Sequence, residues 1–183
     1  MSTRNISAAL LAGCFFLFGC ENKDEEIRQL TEKRIMVEEA IDIESYLSQD
    51  GKVRARLVSP LMLRYATDSN YYEFPTSLQV DFLDSLLQVE SKMTALYAKY
   101  YSEVGKVMLR DSIVVINTVK GDTLYCQELW WDQNTEMIYT EKPVRIRTKT
   151  ETIDGTGMQA QQNFTDWVIM NPQGYILYPE SGF

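Results

Sequence analysis

Residues 123–132 read Thr-Leu-Tyr-Cys-Gln-Glu-Leu-Trp-Trp-Asp, and this stretch decides the fold because an earlier copy of it exists in the chain. A shift of about 31 residues superimposes the two copies, and the matching pairs are Met93 with Leu124, Ala98 with Leu129, Tyr100 with Trp131, Val107 with Ile138, and Val115 with Ile146. A weaker third copy opens at Met158 and includes Asn163, Phe164 and Asp166. Repeats of this kind indicate units that bury their apolar faces against one another.

The earlier copy gives an ambiguous local signal. Apolar residues recur there at intervals of three and four, which is the period of a helix, at Phe82, Leu86, Val89, Met93, Leu96, Tyr97 and Tyr100. The later copy has two adjacent tryptophans followed by a turn signal, which is typical of a strand. The repeat therefore favours strand over helix for 82–101.

The rest of the chain from about Val37 is typical of an all-β protein. Short runs rich in Val, Ile, Tyr and Thr alternate with turn signals. The predicted strands lie near 39–48, 52–58, 60–66, 71–74, 77–82, 86–98, 106–109, 112–118, 122–130, 136–140, 143–150, 157–162, 166–170 and 174–178. Gly51, Gly155 and Gly157 are predicted turn positions, where a side chain would strain the backbone. We expect an elongated, twisted antiparallel β-jelly-roll over 39–183.

The N-terminal residues are typical of a bacterial lipoprotein signal. Arg4 precedes an apolar run that ends at Gly19-Cys20, and charged residues follow at once. We expect cleavage after residue 19, lipidation of Cys20, and a charged tether over 20–38. Cys14 is the competing lipidation site, but it leaves too short an apolar segment. An uncleaved membrane anchor is the other alternative, although the apolar run of about 14 residues is shorter than the roughly 20 that span a bilayer.

Composition excludes several classes of function. The chain has no histidine, so His-based catalysis and His-ligated zinc are excluded. Its net charge of −8 is unfavourable for nucleic-acid binding. We find no catalytic, cofactor or metal-binding motif, and expect no enzyme activity, cofactor or metal. Cys126 lies in a strand-like run and is expected to be a buried, unreactive thiol.

Three pairs of adjacent aromatic residues suggest a lined interior: Tyr71-Tyr72, Tyr100-Tyr101 and Trp130-Trp131. Neighbours on a strand point to opposite faces, so one member of each pair is expected inside the protein. The inward rings fill either an ordinary core or the wall of a cavity for an apolar ligand.

The order of several segments resembles the LptC family of lipopolysaccharide-transport proteins. The similar segments span about residues 39–178 and are Tyr46–Leu57, Tyr72–Pro75, Met93–Tyr100, Val107–Ile113, Gly121–Asp132 and Ile153–Met158. The resemblance implies a jelly-roll that receives the lipid A acyl chains of lipopolysaccharide from an ATP-binding-cassette exporter of LptB, LptF and LptG. It also implies transfer to an LptA-type periplasmic protein by pairing of strand edges.

The resemblance and the repeat together give a candidate ligand-facing set: Tyr72, Ala98, Tyr100, Val107, Leu129, Trp131 and Ile138. Well-known LptC proteins carry an N-terminal transmembrane helix, whereas this chain has the lipoprotein-like signal. We therefore expect a periplasmic protein held by lipid at Cys20, in the inner membrane rather than the outer. The alternative function is that of a surface or periplasmic lipoprotein that binds glycans or proteins.

Overall fold

The computed structural model describes residues 36–66 and 70–173, and these residues form one antiparallel sheet of eleven strands. The strands are β1 (Met36–Gln49), β2 (Lys52–Ala66), β3 (Tyr71–Phe74), β4 (Leu78–Leu83), β5 (Val89–Ala95), β6 (Tyr97–Tyr101), β7 (Lys106–Asn117), β8 (Thr123–Asp132), β9 (Met137–Arg147), β10 (Thr152–Gln161) and β11 (Val168–Gln173). The prediction of an all-β, jelly-roll-like fold is confirmed. Within this part of the chain, no helix is long and apolar enough to cross a membrane.

The sheet divides into two arms because its long strands change partners halfway. β2 pairs with β4 through 55–58 and with β3 through 63–65. β7 pairs with β6 through 106–110 and with β5 through 114–117. We call arm A the part built from 55–58, β4, β5, 113–117, 123–126, 144–147 and 152–156. Arm B is the part built from 61–65, β3, β6, 106–110, 129–132, 137–140 and 158–161.

A row of backbone irregularities marks the line where the arms meet. The pairing register shifts between Arg110 and Ile113 in β7, between Cys126 and Trp130 in β8, and between Thr156 and Met158 in β10. Positive φ angles occur along the same row, at Asp111 (62°), Ser112 (51°) and Gly157 (77°). β-Bulges bend strands and sharpen their twist, so this row lets one sheet turn back on itself.

The bulges explain an odd spacing in the repeat. Leu124 and Leu129 are five residues apart, and in a regular strand they would face opposite sides of the sheet. The irregularity between Cys126 and Trp130 brings Leu129 to the side of the sheet on which Leu124 lies, and both leucines are fully buried.

The core lies between the inner faces of the two arms. Phe82 of arm A meets Trp131 of arm B edge to face, with ring centroids 5.1 Å apart. Each buried side chain of this size contributes roughly 1.5–3 kcal/mol through the apolar area it removes from water. The fully buried large side chains are Trp131, Phe82, Phe164, Leu78, Met93, Leu109, Ile113, Leu124, Leu129, Ile138, Ile146 and Met158.

The stretch 82–101 is strand rather than helix, as the repeat predicts. It comprises the end of β4, a turn at 84–88, and the strands β5 and β6. The predicted single strand over 86–98 is interrupted at Leu96, whose N–H donates to the carbonyl of Asp111 at the line between the arms. Conversely, the predicted strands 52–58 and 60–66 form one strand, β2, through the exposed Pro60.

Two predictions, one of a boundary and one of a turn, need correction. β1 begins at Met36, so the last three residues of the predicted 20–38 tether belong to the sheet. The predicted turn at Gly155 and Gly157 is wrong, because both glycines lie inside β10. Gly51 does occupy a turn, with φ of 73°. Cys14, Cys20, the cleavage site and the predicted strand 174–178 lie outside the described residues.

The two glycines of β10 serve other purposes. A side chain at Gly155 would overlap the side chain of Ile169 and approach the backbone oxygen of Asn171 to 2.8 Å, so glycine lets β11 pack closely. Gly157 has a φ of 77°, a conformation that other residues rarely adopt, and it lies where the pairing of β10 with β9 shifts register.

The third copy of the repeat is not a strand over its whole length. Met158 lies in β10, whereas residues 162–167 leave the sheet and run from the end of β10 to β11. We call residues 162–167 the strap.

Candidate functional site

An open cavity of about 490 Å³ lies between the arms, beside β1, β2, β3, β6, β7 and β8. This volume falls within the range of roughly 300–1,000 Å³ that is typical of ligand pockets. Its walls are predominantly apolar, and the lining residues are Ile43, Glu44, Ser45, Tyr46, Leu47, Ala55, Leu57, Met62, Tyr72, Phe74, Tyr100, Ser102, Val107, Trp131 and Gln133.

All seven residues of the candidate set lie on the inner side of arm B. Tyr72, Tyr100, Val107 and Trp131 line the cavity. The other three, Ala98, Leu129 and Ile138, are completely buried in the core and lie behind the cavity wall. The structure thus brings four of the predicted residues together at one site, and their contact with a ligand stays a prediction.

Trp131 forms the inner end of the cavity. Its ring is 1% exposed, and it packs against Phe82 of the opposite arm. Its indole N–H donates a hydrogen bond of 3.0 Å to the Oε1 of Gln162 in the strap. Because a buried indole N–H needs an acceptor, this bond fixes the ring orientation.

Tyr72 and Tyr100 form one side wall of the cavity. They are cross-strand partners on β3 and β6, and their rings stack with centroids 5.8 Å apart. Burial, reinforced by the neighbouring Tyr72, raises the pKa of Tyr100 above its ordinary value. Its hydroxyl therefore stays neutral at physiological pH.

The rim of the cavity is polar and charged. Arg56 donates a hydrogen bond of 2.8 Å to Glu44, and the Tyr46 hydroxyl donates one of 2.6 Å to the same carboxylate. These two bonds hold the pKa of Glu44 below its ordinary value. Ser102 and Gln133 add polar groups to the lining. An apolar interior with a charged rim fits a ligand that has an apolar part and a polar part.

The sequence prediction missed the part of the cavity that β1 and β2 supply. Ile43 and Leu47 of β1 and Leu57 and Met62 of β2 pack against the core and line the cavity. The alternation of apolar residues at Ile41, Ile43 and Leu47 carries this signal, but the inferred repeat does not include β1.

The outward members of the aromatic pairs form a separate ladder on the outer face of arm B. Tyr71 stacks on Tyr65 with ring centroids 4.6 Å apart, and Tyr101 stacks on Trp130 at 6.1 Å. The Lys99 ammonium lies 3.6 Å from the centre of the Tyr71 ring. Since these rings face one another and a lysine, they add no support to the glycan-binding alternative.

The one cysteine among the described residues is poorly suited to nucleophilic chemistry. Cys126 is free and buried, and burial raises the pKa of its thiol to about 12, so that the nucleophilic thiolate is scarce. Among residues 36–66 and 70–173, no group of three or more His, Cys, Asp and Glu side chains could hold a metal ion.

A two-layered antiparallel roll with an amphipathic cavity between its arms has the features of a ligand-binding or ligand-carrying protein. The family model described as "Lipopolysaccharide-assembly, LptC-related" matches residues 6–165. The chain belongs to the LptC family, and it therefore has a role in the periplasmic lipopolysaccharide bridge, with lipopolysaccharide and its transport machinery as partners. LptC proteins are bridge components and are not known as enzymes. A search of the curated proteins finds no match to the chain.

Proposed function

We propose that this chain receives lipopolysaccharide from an LptB, LptF and LptG exporter, with lipid A acyl chains inserted in the cavity between the arms, and passes it to an LptA-type protein. The cavity is the observation that supports this proposal. It combines apolar walls at Leu57, Met62 and Val107 with a charged lining residue, Glu44, which forms an ion pair with Arg56 on the neighbouring strand. Transfer of the acyl chains from water to the apolar walls lowers the free energy, while the phosphorylated sugars of lipid A stay at the rim.

Strand edges provide the surfaces for the two neighbours in the bridge. Within the described residues, β1 pairs only with β2, and β11 pairs only with β10, so each has one unpaired edge. Unpaired edges are templates for strand addition by another protein. β1 follows the proposed anchor at Cys20 by 16 residues in sequence. We therefore assign the β1 edge to the exporter side and the β11 edge to the LptA-type partner.

The proposed anchor is a lipid on Cys20 in the inner membrane. The sequence signal described above supports it, since the apolar run ends at Gly19-Cys20 before a charged segment. Labelled palmitate should enter the wild-type protein and be absent from Cys20→Ala. Label that persists in Cys20→Ala and disappears in Cys14→Ala would place the lipid on the other cysteine.

Binding of lipopolysaccharide to the purified protein tests the cavity. Val107 and Val114 are both on β7, but Val107 lines the cavity between the arms. Val114 lies beyond the bulge, pairs with the partly exposed Tyr125, and lines a separate cavity formed by β7 to β10. Val107→Trp should fill the cavity and weaken binding at least tenfold. Val114→Trp is the matched control and should bind as the wild type does.

Circular dichroism must show the same β-sheet content in both variants. If Val107→Trp fails to fold, Met62→Trp replaces it, because Met62 lines the cavity from a partly exposed position. Unchanged affinity in a folded cavity-filled variant would contradict the proposed site.

A further inference from the structure

The strap connects the two arms across the open side of the roll. On arm B, the N–H of Gln162 donates to the carbonyl of Glu136 at 2.8 Å, and the Trp131 indole donates to the Gln162 side chain at 3.0 Å. β10 itself ends in arm B, where Gln161 pairs with Met137. The strap thus begins in arm B, next to the inner end of the cavity.

On the other side, the strap is held at the strand ends of arm A. The side-chain amide of Asn117 donates to the carbonyls of Asn163 (3.0 Å) and Phe164 (3.4 Å). The Trp167 indole N–H donates to the carboxylate of Asp122 at 3.1 Å. These bonds, all to side chains at the ends of strands, tie the arms together without adding a strand to the sheet.

Phe164 plugs the interior behind the strap. Its side chain is completely buried and belongs to the same core as both arms. Between β8 and β10, the interior of the roll is filled by the chain's own side chains. The completely or almost completely buried ones are Leu124, Leu129, Ile138, Ile146, Met158 and Ala160. The cavity therefore opens on the β1–β3 side, whereas the interior towards β10 and β11 is closed by Phe164.

The strap has two features of a segment that can open. Phe164 and Asp166 have φ angles of 55° and 50°, a left-handed conformation that stores backbone strain in non-glycine residues. A second cavity, of about 120 Å³, lies between the strap and arm A and is lined by polar groups that include Arg54, Glu90 and Asn163. The closed position is thus strained, and a small polar cavity borders it.

We propose that the strap is a gate, whose opening withdraws Phe164 and admits acyl chains from the cavity to the half of the roll next to β11. This inference rests on the proposed function, since it concerns the path of the same ligand. Trp131 couples the two sites. It lines the cavity and also binds Gln162, so an acyl chain that displaces the Trp131 ring also breaks a strap contact.

Locking the strap tests the gate. Asn163 Nδ2 lies 3.5 Å from the Glu90 carboxylate, so Glu90→Cys with Asn163→Cys can be joined by a short bismaleimide whose spacer contains a disulfide. Cys14→Ser and Cys20→Ser leave the buried Cys126 as the one other thiol of the chain, and a reductant then reopens the lock. The uncrosslinked double-cysteine protein is the control for the substitutions themselves.

Photo-crosslinking to purified lipopolysaccharide gives the readout. A diazirine amino acid of methionine size is placed either at Met62, in the cavity, or at Met158, behind the strap. We expect adducts at both positions in the unlocked protein, and at Met62 alone in the locked one, with Met158 adducts restored by the reductant. The gate would be overturned if Met158 adducts persisted in the locked protein. It would also be overturned if the unlocked protein gave adducts at Met62 but none at Met158. Absence of adducts at Met62 in the unlocked protein would instead contradict the proposed function.

A second variant weakens the closed state without crosslinking. Trp167→Phe keeps a ring at the position but removes the N–H that binds Asp122. The usual net contribution of one hydrogen bond corresponds to roughly a fivefold change in an equilibrium constant, so we expect the amides of Phe164 and Thr165 to exchange with solvent about five times faster. Met158 adducts should increase in the same variant. Faster exchange with no increase in Met158 adducts would contradict the gate.

Discussion

Trp130 and Trp131 allow one substitution to be compared on the two faces of β8. Trp131 is 1% exposed, packs edge-on against Phe82 and donates a hydrogen bond to Gln162. Trp130 is half-buried on the outer face and stacks on Tyr101 at 6.1 Å. The two residues are adjacent and chemically identical, so any difference between their alanine variants comes from the face on which each lies.

The structure sets the expected size of each effect. Truncation of a buried tryptophan to alanine costs roughly 3–5 kcal/mol, and because Trp131 borders an open cavity that water can enter, we expect about 3–4 kcal/mol. Trp130→Ala loses one partly exposed aromatic pair, which is worth about 0.5–1.5 kcal/mol. With a urea dependence of about 2 kcal/mol per molar, the midpoint should fall by about 1.5–2 M for Trp131→Ala and by less than about 1 M for Trp130→Ala.

Urea titration of the purified variants measures both values. The transition should be followed by far-ultraviolet circular dichroism, because the substitutions change the tryptophan fluorescence itself. Equal shifts in the two variants, or a larger shift in Trp130→Ala, would show that Trp131 does not face the core.

Four further predictions follow from individual residues. Gly155→Ala should destabilise the β10–β11 pair by about 1–3 kcal/mol, because its Cβ meets Ile169 and the Asn171 backbone. Gly51→Ala has open space around it and should cost only about 1–2 kcal/mol of backbone strain. Equal hydrogen-exchange protection of β11 in Gly155→Ala and in the wild type would refute the first prediction. In a chain in which Cys14 and Cys20 are replaced by serine, Cys126 should react with iodoacetamide at pH 8 only when the protein unfolds, since burial raises the pKa of its thiol to about 12. Labelling of the folded protein at the rate of a free thiol would show that Cys126 is not buried. The pKa of Cys126 in the folded protein lies above its ordinary value of 9.0, so the stability that the thiol contributes is complete below pH 9 and is lost as the pH rises towards 12. In urea titrations over that pH range, Cys126→Ala should therefore lose less stability than the wild type. Phe164→Ala should make Met158 accessible to a small hydrophobic carbene probe; full protection of Met158 in a folded variant would show that Phe164 does not close the interior.

The repeat groups residues that lie on one face of arm B, because residues that match between the copies occupy matching positions along their strands. Met93 and Ala98 are five residues apart, as are Leu124 and Leu129, and all four are buried. In a regular strand an odd spacing changes the face, so the spacing itself reports an irregularity: the interruption at Leu96 in the first copy and the register shift in β8 in the second. The shared columns therefore predicted that Tyr100 and Trp131 lie on the same face, whereas the choice of the inward face depends on the burial seen in the structure.

Other parts of the structure could not be predicted because they depend on contacts that are distant in sequence. The change of partners along β2 and β7 is a property of strand pairing, and each half of β2 gives an ordinary strand signal. Gly155 is typical of a turn in sequence, but its role is set by the approach of Ile169 from β11. The strap contains the turn-forming residues of a loop, and its hydrogen bonds to Asn117 and Asp122 follow only from the folded arms.

In the proposed function, the inner face of arm B contacts lipopolysaccharide during transport. A photoreactive residue at Tyr100, which lines the cavity, and one at Trp130, on the outer face, test it most directly in living cells. We predict lipopolysaccharide adducts at Tyr100 that require ATP, and none at Trp130. Adducts at Trp130 alone, or no adducts at Tyr100 in a folded protein that supports export, would contradict it.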